Sequence, residues 1–294
     1  MNITSCSASA IKSYQWCIFQ YYLNYILKIK TRSGKAATMG NIVHETIEQI
    51  SLLKKKNKVN VDPYWLFNRN WEYQENLNPE IRMFTSRGES ADYKKCKQNL
   101  SNILNDEYYT PYNMDILDVE EWFDISFPGE EFLTSEGKQF NVRGFMDIVR
   151  RIDKDTIEII DWKNGVQLTN NFKRKEFIDL LKDIQAKIYY FAATLLYPQY
   201  KNILITFYFT EYIEPITLTF SEDDTGLIIG DIYSFFNRVK NNKLITRTRN
   251  FKCRMCPFSK NNICDKIWIE LATDGQDFLK EKYYQVKLEN INGE

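Results

Sequence analysis

Two carboxylates and a lysine stand on adjacent strand-like runs of this sequence. Asp147 closes Gly-Phe-Met-Asp, and Asp161 and Lys163 bracket Trp162 in Asp-Trp-Lys. Residues two apart on an extended strand point to the same face, so Asp161 and Lys163 are delivered together. Hard oxygen donors of this kind suit Mg²⁺ or Mn²⁺, which keep waters and phosphate oxygens in their remaining positions. Asp147 and Asp161 are the expected ligands, with the Trp162 carbonyl between them. Such an ion lowers the pKa of a bound water and neutralises charge on a phosphate. Lys163 would hold or deprotonate that water, or stabilise charge on the scissile phosphate, and the chemistry is metal-assisted phosphodiester cleavage.

The elements that position these groups follow from periodicity and turn signals. Strands are predicted over Ile116–Phe127, Phe140–Ile152 and Thr156–Lys163, and their short links favour antiparallel neighbours. A long helix, Lys175–Leu196, carries Gln185 and Tyr189, four apart and so on one face. It leads to a strand at Ile203–Thr210, a step that favours a parallel crossover. Ile213–Phe220 reads as an edge strand and Asp223–Lys243 as a helix. Upstream, helices are predicted at Ser7–Lys30 and Thr38–Lys54, the second bearing His44, the single histidine. The run Tyr64–Tyr109 reads as a mostly helical insertion between Pro63 and Pro111.

Six cysteines form a second constellation: Cys6, Cys17, Cys96, Cys253, Cys256 and Cys264. Cys253 and Cys256 make a C-x-x-C pair, whose thiolates can converge on one metal centre, and Cys264 adds a third thiol. A zinc site uses compatible ligands. Disulfides are disfavoured because the N-terminus has no secretory signal. Apolar residues at 44% and charged residues at 27% are those of a soluble globular protein, and no apolar run is long enough to span a bilayer. The formal charge of zero is unusual for a nucleic-acid binder. Locally basic runs, Lys28–Lys35 and the acid-free Arg238–Arg254, could track phosphates. No Gly-x-x-x-x-Gly-Lys phosphate loop is present, so unwinding would need a partner.

In order, G-F-M-D-I-V, I-I-D-W-K-N-G and Q-A-K-I-Y-Y resemble the motifs of the PD-(D/E)XK nuclease superfamily, in its RecB-like branch. That branch includes nuclease domains of bacterial recombination exonucleases and CRISPR-associated RecB-like exonucleases. The resemblance covers roughly residues 3 to 268. It implies an α/β fold with a restriction-endonuclease-like core, a mixed sheet flanked by helices in α-β-β-β-α-β order. One continuous domain is expected. It comprises N-terminal helices (1–62), a helical insertion (63–111), the catalytic core (112–220) and a C-terminal helix, cysteine cluster and tail (221–294).

The resemblance also assigns roles. His44, in G-N-I-V-H-E-T-I-E, would join Asp147 and Asp161 on the metal and tilt preference toward Mn²⁺. Gln185 and Tyr189 would orient Lys163 or contact DNA near the cut. Glu120 is a possible further acid, with Glu121 as its alternative. Cys17, Cys253, Cys256 and Cys264 would hold a structural [4Fe–4S] cluster joining the two chain ends, with Cys6 a rival for the fourth position. Ile18 departs from the proline common after the first cysteine, although Pro257 follows Cys256. The implied activity is a Mg²⁺- or Mn²⁺-dependent DNA exonuclease in recombination, repair or phage DNA metabolism. It would be cytoplasmic, in a bacterial or phage-infected cell, and would work with a helicase or recombination partner and without a membrane. A structure-specific endonuclease, or a non-catalytic DNA-binding subunit, are the alternatives.

Overall fold

A computed structural model of the chain describes residues 3–58, 60–127, 129–165, 173–242 and 244–292, with Lys252 and 284–292 described by their backbone alone. Pro128 and Lys243, the latter at the predicted end of a helix, lie outside the described residues. In chain order come β1 (Ser5–Cys6), α1 (Ala8–Trp16), α2 (Ile18–Tyr21), a π-helical turn (Tyr22–Ile26), α3 (Lys35–Lys55) and α4 (Pro63–Leu77). A small hairpin of β2 (Phe84–Thr85) and β3 (Gly88–Glu89) precedes α5 (Ala91–Leu104), β4 (Asp115–Ser126), β5 (Asn141–Arg151) and β6 (Thr156–Lys163). Then follow α6 (Phe177–Leu181), α7 (Ile184–Leu196), β7 (Asn202–Phe209), β8 (Glu214–Thr219), α8 (Glu222–Asn241), α9 (Pro257–Lys260) and α10 (Ile263–Asn292). The chain divides into two compact units. One comprises Met1–Ser33, Ser126–Asn141 and Ile232–Glu294, the other Gly34–Ile125 and Val142–Asp231.

The larger unit is built on β4–β8. β5 pairs with β4 and, antiparallel, with β6, where Ile148 opposes Ile160. β6 and β7 run parallel over their whole length, from Thr156 opposite Asn202 to Lys163 opposite Phe209, and β8 closes the edge antiparallel to β7. The parallel step passes through α7, as a crossover requires. The order α3, β4–β5–β6, α7, β7 is the mixed-sheet plan implied by the sequence, with its helices outside the sheet. Ile157, Ile159 and Ile160 are fully buried in β6, which fixes the register that brings Asp161 and Lys163 to its end. Met39, Ile42, Val43, Ile47 and Ile50 of α3 form one core with Ile148, Ile160, Trp162 and Tyr208 of the sheet. Thr46 and Ser51, buried on the same helix, return their hydroxyls to the carbonyls of Ile42 and Ile47 at 2.7 Å.

Three predicted elements are interrupted, each for a local reason. The Ser7–Lys30 helix breaks at Cys17, whose backbone is extended and caps α1 by donating to the Ser13 carbonyl. The Lys175–Leu196 helix splits into α6 and α7 because Asp183 caps the second, its carboxylate accepting from the Gln185 amide at 3.0 Å. Lys175 holds that cap from the other side at 2.8 Å. The insertion is helical in α4 and α5, but the β2–β3 hairpin turns between them at Gly88, whose φ of +98° suits only glycine.

In the smaller unit, Phe19, Tyr22, Leu23, Phe258, Ile267 and Leu279 make a separate core, against which Cys17, Cys256 and Cys264 pack. No described helix is long and apolar enough to cross a membrane.

Candidate active site

The antiparallel β5–β6 ladder ends at Ile148 and Ile160, and the chemistry begins one residue beyond it on each strand, at Asp147 and Asp161. There the Trp162 amide donates to Asp147 Oδ2 at 3.0 Å, so a side chain takes over where the backbone pairing stops. The same Oδ2 lies 2.8 Å from His44 Nε2, presented by α3. His44 Nε2 also lies 3.5 Å from Glu120 Oε1 on β4, an atom buried without a hydrogen-bond partner. Glu48 completes this set. His44, Glu48 and Glu120 each bring a ligand atom within 4.8 Å of the others.

Asp161, 2% exposed, belongs to a second set. Its Oδ1 accepts from Gln185 Nε2 at 2.7 Å and from the Tyr189 hydroxyl at 3.1 Å, while its Oδ2 pairs with Lys163 Nζ. Gln185 Oε1 also accepts from Lys163 at 3.3 Å. Gln185 therefore holds both members of the ion pair, because Ile184–Leu196 turns its first-turn polar side chain onto the strand end. Tyr190, next to Tyr189 in sequence, packs against the Phe220 ring instead.

The electrostatics follow from crowding. Burial, then the charge of Asp147, push the Glu120 carboxyl up to about 7, with His44 opposing. For His44, burial opposes the charged ring, but the hydrogen bond and charge of Asp147, then Glu120 and Asp161, outweigh it and raise the imidazole to about 9. Burial also raises Asp161, against the pull of Lys163, and holds Tyr189 well above the usual phenol range. Burial works against the Lys163 ammonium, yet Asp161 and Asp147 raise its pKa. Four carboxylates thus face one ammonium and one imidazole, and the cluster is short of positive charge.

The structure brings together His44, Glu120, Asp147, Asp161, Lys163, Gln185 and Tyr189. Of the two neighbouring glutamates, Glu120 faces the cluster, whereas Glu121 responds to Asp118 and Lys55. Glu120 has φ +51° in mid-strand, a left-handed backbone that breaks the strand's alternation and re-aims its side chain. Glu48 is the member that sequence reasoning passed over. Its signal was the four-residue step from His44 along one helix face, which is half-buried in the fold. Gly144, which opens Gly-Phe-Met-Asp, is required by packing, since a Cβ there would meet Phe123 Cζ at 2.5 Å.

The donor set suits a divalent cation. Adjacent ligands on an octahedral ion of magnesium size lie about 3.0 Å apart. The His44–Asp147 and His44–Glu120 separations of 2.8 and 3.5 Å bracket that edge.

In the smaller unit, Cys17, Cys253, Cys256 and Cys264 line a single pocket with Trp16 and Arg247. The Cys256 amide donates to the Cys253 carbonyl at 3.2 Å, closing the turn between the two cysteines. Burial raises the Cys264 thiol, Arg247 opposes this, and Cys256 and Cys17 add to it. A zinc ion would draw its sulfurs to about 3.8 Å from one another. Among the described residues, no three thiols come within 4.8 Å of each other. Cys6 and Cys96 are buried elsewhere and line no part of this pocket, and burial pushes Cys96 up to about 12. Of the basic run, Arg247 and Arg249 are bonded to Asp265.

Comparison with known proteins agrees with this geometry. The family model described as the PD-(D/E)XK nuclease superfamily matches residues 5–265. The chain is 28% identical over 178 residues to an ATP-dependent helicase/deoxyribonuclease subunit of Clostridium novyi (strain NT), which is 54% of this chain and 15% of that protein. This chain therefore spans only a small part of the relative's length. Among solved structures, a candidate exonuclease from Eubacterium rectale superimposes with a TM-score of 0.52 at 15% identity, over 88% of both chains. That likeness is one of fold.

Proposed function

The chain belongs to the PD-(D/E)XK nuclease superfamily, and from that premise we propose that it is a metal-dependent deoxyribonuclease acting as an exonuclease at single-stranded or resected DNA ends. One observation carries the reading. Asp147 links the cation-seeking set of His44, Glu48 and Glu120 to the Asp161–Lys163–Gln185 set. His44, Glu120, Asp147 and Asp161 would hold Mg²⁺ or Mn²⁺, with the imidazole nitrogen favouring Mn²⁺. A cation bound there would acidify a water and neutralise charge on the scissile phosphate. Lys163 supplies a charge fixed by two partners, able to hold the attacking water or the phosphate without reorganising. Gln185 and Tyr189 position Lys163 and Asp161.

The cysteine pocket is read as the seat of a [4Fe–4S] cluster on Cys17, Cys253, Cys256 and Cys264. Such a cluster would tie the N-terminal helices to the C-terminal segment. A helicase or recombination protein is the expected partner. The name of the Clostridium relative supports this. Recombination, repair or phage DNA metabolism, in a bacterial or phage-infected cytoplasm, is the corresponding setting.

The test is digestion of end-labelled single- and double-stranded DNA, and of circular single strands, with Mn²⁺ or Mg²⁺. Linear single strands should shorten from an end and circles should survive. Cleaved circles would replace the exonuclease with an endonuclease. Asp161→Asn should abolish the activity, and undiminished cleavage by that variant would sink the reading. Protein purified without oxygen should be brown, with iron and sulfide in near-equal amounts. A colourless protein holding zinc would remove the cluster.

A further inference from the structure

Beside the acid cluster, β4 and β5 carry an aromatic pair that the chemistry above does not use. The rings of Trp122 and Phe145 lie 4.7 Å apart, centroid to centroid, and tilted by 51°. Each residue is 48% exposed, whereas the alternate positions Phe123 and Met146 are 2% and 0% exposed. Trp122 lies beside Phe145, which stands two residues from Asp147. On an extended strand that is a step of about 7 Å, within one nucleotide of a phosphate at the cluster. On the far side of the rings, Arg143 pairs with Asp124 at 2.9 Å across the same two strands. The order along the ribbon is thus ion pair, aromatic pair, acid cluster.

We propose that Trp122 and Phe145 form a stacking platform for an unpaired base of the DNA strand whose phosphate occupies the neighbouring cluster. The inference rests on the nuclease reading and deepens it by naming single-stranded DNA as what the site grips. Two large rings exposed together on a strand are costly unless something covers them. The cover must also leave the adjacent carboxylates open to solvent and metal. A protein surface would bury those carboxylates along with the rings, while a nucleobase covers the rings alone and carries its phosphate toward the acids. A base inside a duplex has both faces stacked, so only a frayed or single-stranded end can use the platform. Stacking is tolerant of sequence because every base has a π-face.

The test is equilibrium binding, in Ca²⁺ to avoid turnover, of oligo(dT) and of an abasic oligomer of equal length. Trp122→Ala with Phe145→Ala should weaken oligo(dT) binding about 5- to 150-fold. The salt dependence should keep its slope, because the phosphate contacts remain. The abasic oligomer should bind wild type and variant alike, and Trp122→Phe should retain most of the affinity. If wild type binds and cleaves DNA but the double variant grips oligo(dT) equally well, the platform is wrong and the nuclease reading stands. A double variant that instead loses self-association or a protein partner, with DNA binding intact, makes the patch a protein contact and also overturns the platform. If wild type neither binds nor cuts any DNA, both readings fall together.

Discussion

The β5–β6 pair buries charge at two places only a few residues apart, and the two are built on opposite terms. At one, Arg150 lies directly opposite Glu158, and each charge meets its complement. Arg150 Nε donates to Glu158 Oε2 at 2.7 Å and Nη1 donates to the Tyr108 carbonyl at 2.6 Å. The Tyr108 and Tyr109 rings cover the guanidinium at 4.1 and 5.0 Å, and the Thr206 hydroxyl donates to Glu158 Oε1. At the other, four carboxylates crowd one ammonium and one imidazole, and Glu120 keeps a buried oxygen without a donor. Charge buried for the fold comes matched. Charge left unmatched around buried Asp161 and the partly exposed His44, Glu48 and Glu120 asks for a counter-charge that the chain does not contain, and a cation would supply it.

If that contrast is right, the matched pair should matter to stability and little to chemistry. Arg150→Met leaves Glu158 buried and uncompensated, which should lower unfolding free energy by about 3–5 kcal/mol. Replacing Glu158 by Leu as well should recover most of that loss. Denaturant unfolding of the two variants measures both effects, and the rate per folded molecule should stay within a few-fold of wild type. A single variant as stable as wild type would mean that the pair is not the structural counterpart described.

Lys163→Ala should show the reverse pattern. It removes a preorganised charge from the reacting end, so turnover should fall about 10²- to 10³-fold. Metal titrations should change little, because the ligand atoms lie on other residues. Lost metal binding with normal turnover at saturation would move Lys163 out of the proposed role.

The fold was largely legible because its determinants are local. Isoleucines at alternate and adjacent positions mark β6 as buried, and the strand–helix–strand order predicts the parallel β6–β7 pairing. The Asp-Trp-Lys spacing likewise places Asp161 and Lys163 together. What escaped depends on long-range or backbone geometry. The left-handed Glu120 cannot be read from strand periodicity, which assumes an unbroken alternation. Cys17 looks helical by composition because its aromatic neighbours have no period that would reveal the break. Gly144 reads as a motif letter until Phe123 is seen against it. Gly144→Ala should overpack that contact and cost about 1–3 kcal/mol of stability. The same variant carrying Phe123→Leu should regain part of it, as thermal unfolding of the two can establish.

The smallest effect is the sharpest test of the contrast, because it predicts stabilisation from the loss of a charge. Burial and Asp147 lift the Glu120 carboxyl from its ordinary 4.5 to about 7. A carboxyl with a higher pKa folded than unfolded binds its proton more tightly in the native state. Its burden on stability is therefore absent below about pH 4.5, grows as pH rises and is complete above about 7. In metal-free protein, Glu120→Gln should then be more stable than wild type at pH 8, by about 1 kcal/mol once partial exposure is allowed for. The two should converge near pH 4. Adding Mn²⁺ should reverse the order at pH 8, since an ion that binds the native state stabilises most where its ligands are complete. Glu158→Gln at the matched pair should destabilise with or without Mn²⁺. If Glu120→Gln behaves in the same way, the cluster is a second structural ion network and the proposed cation site loses its main support.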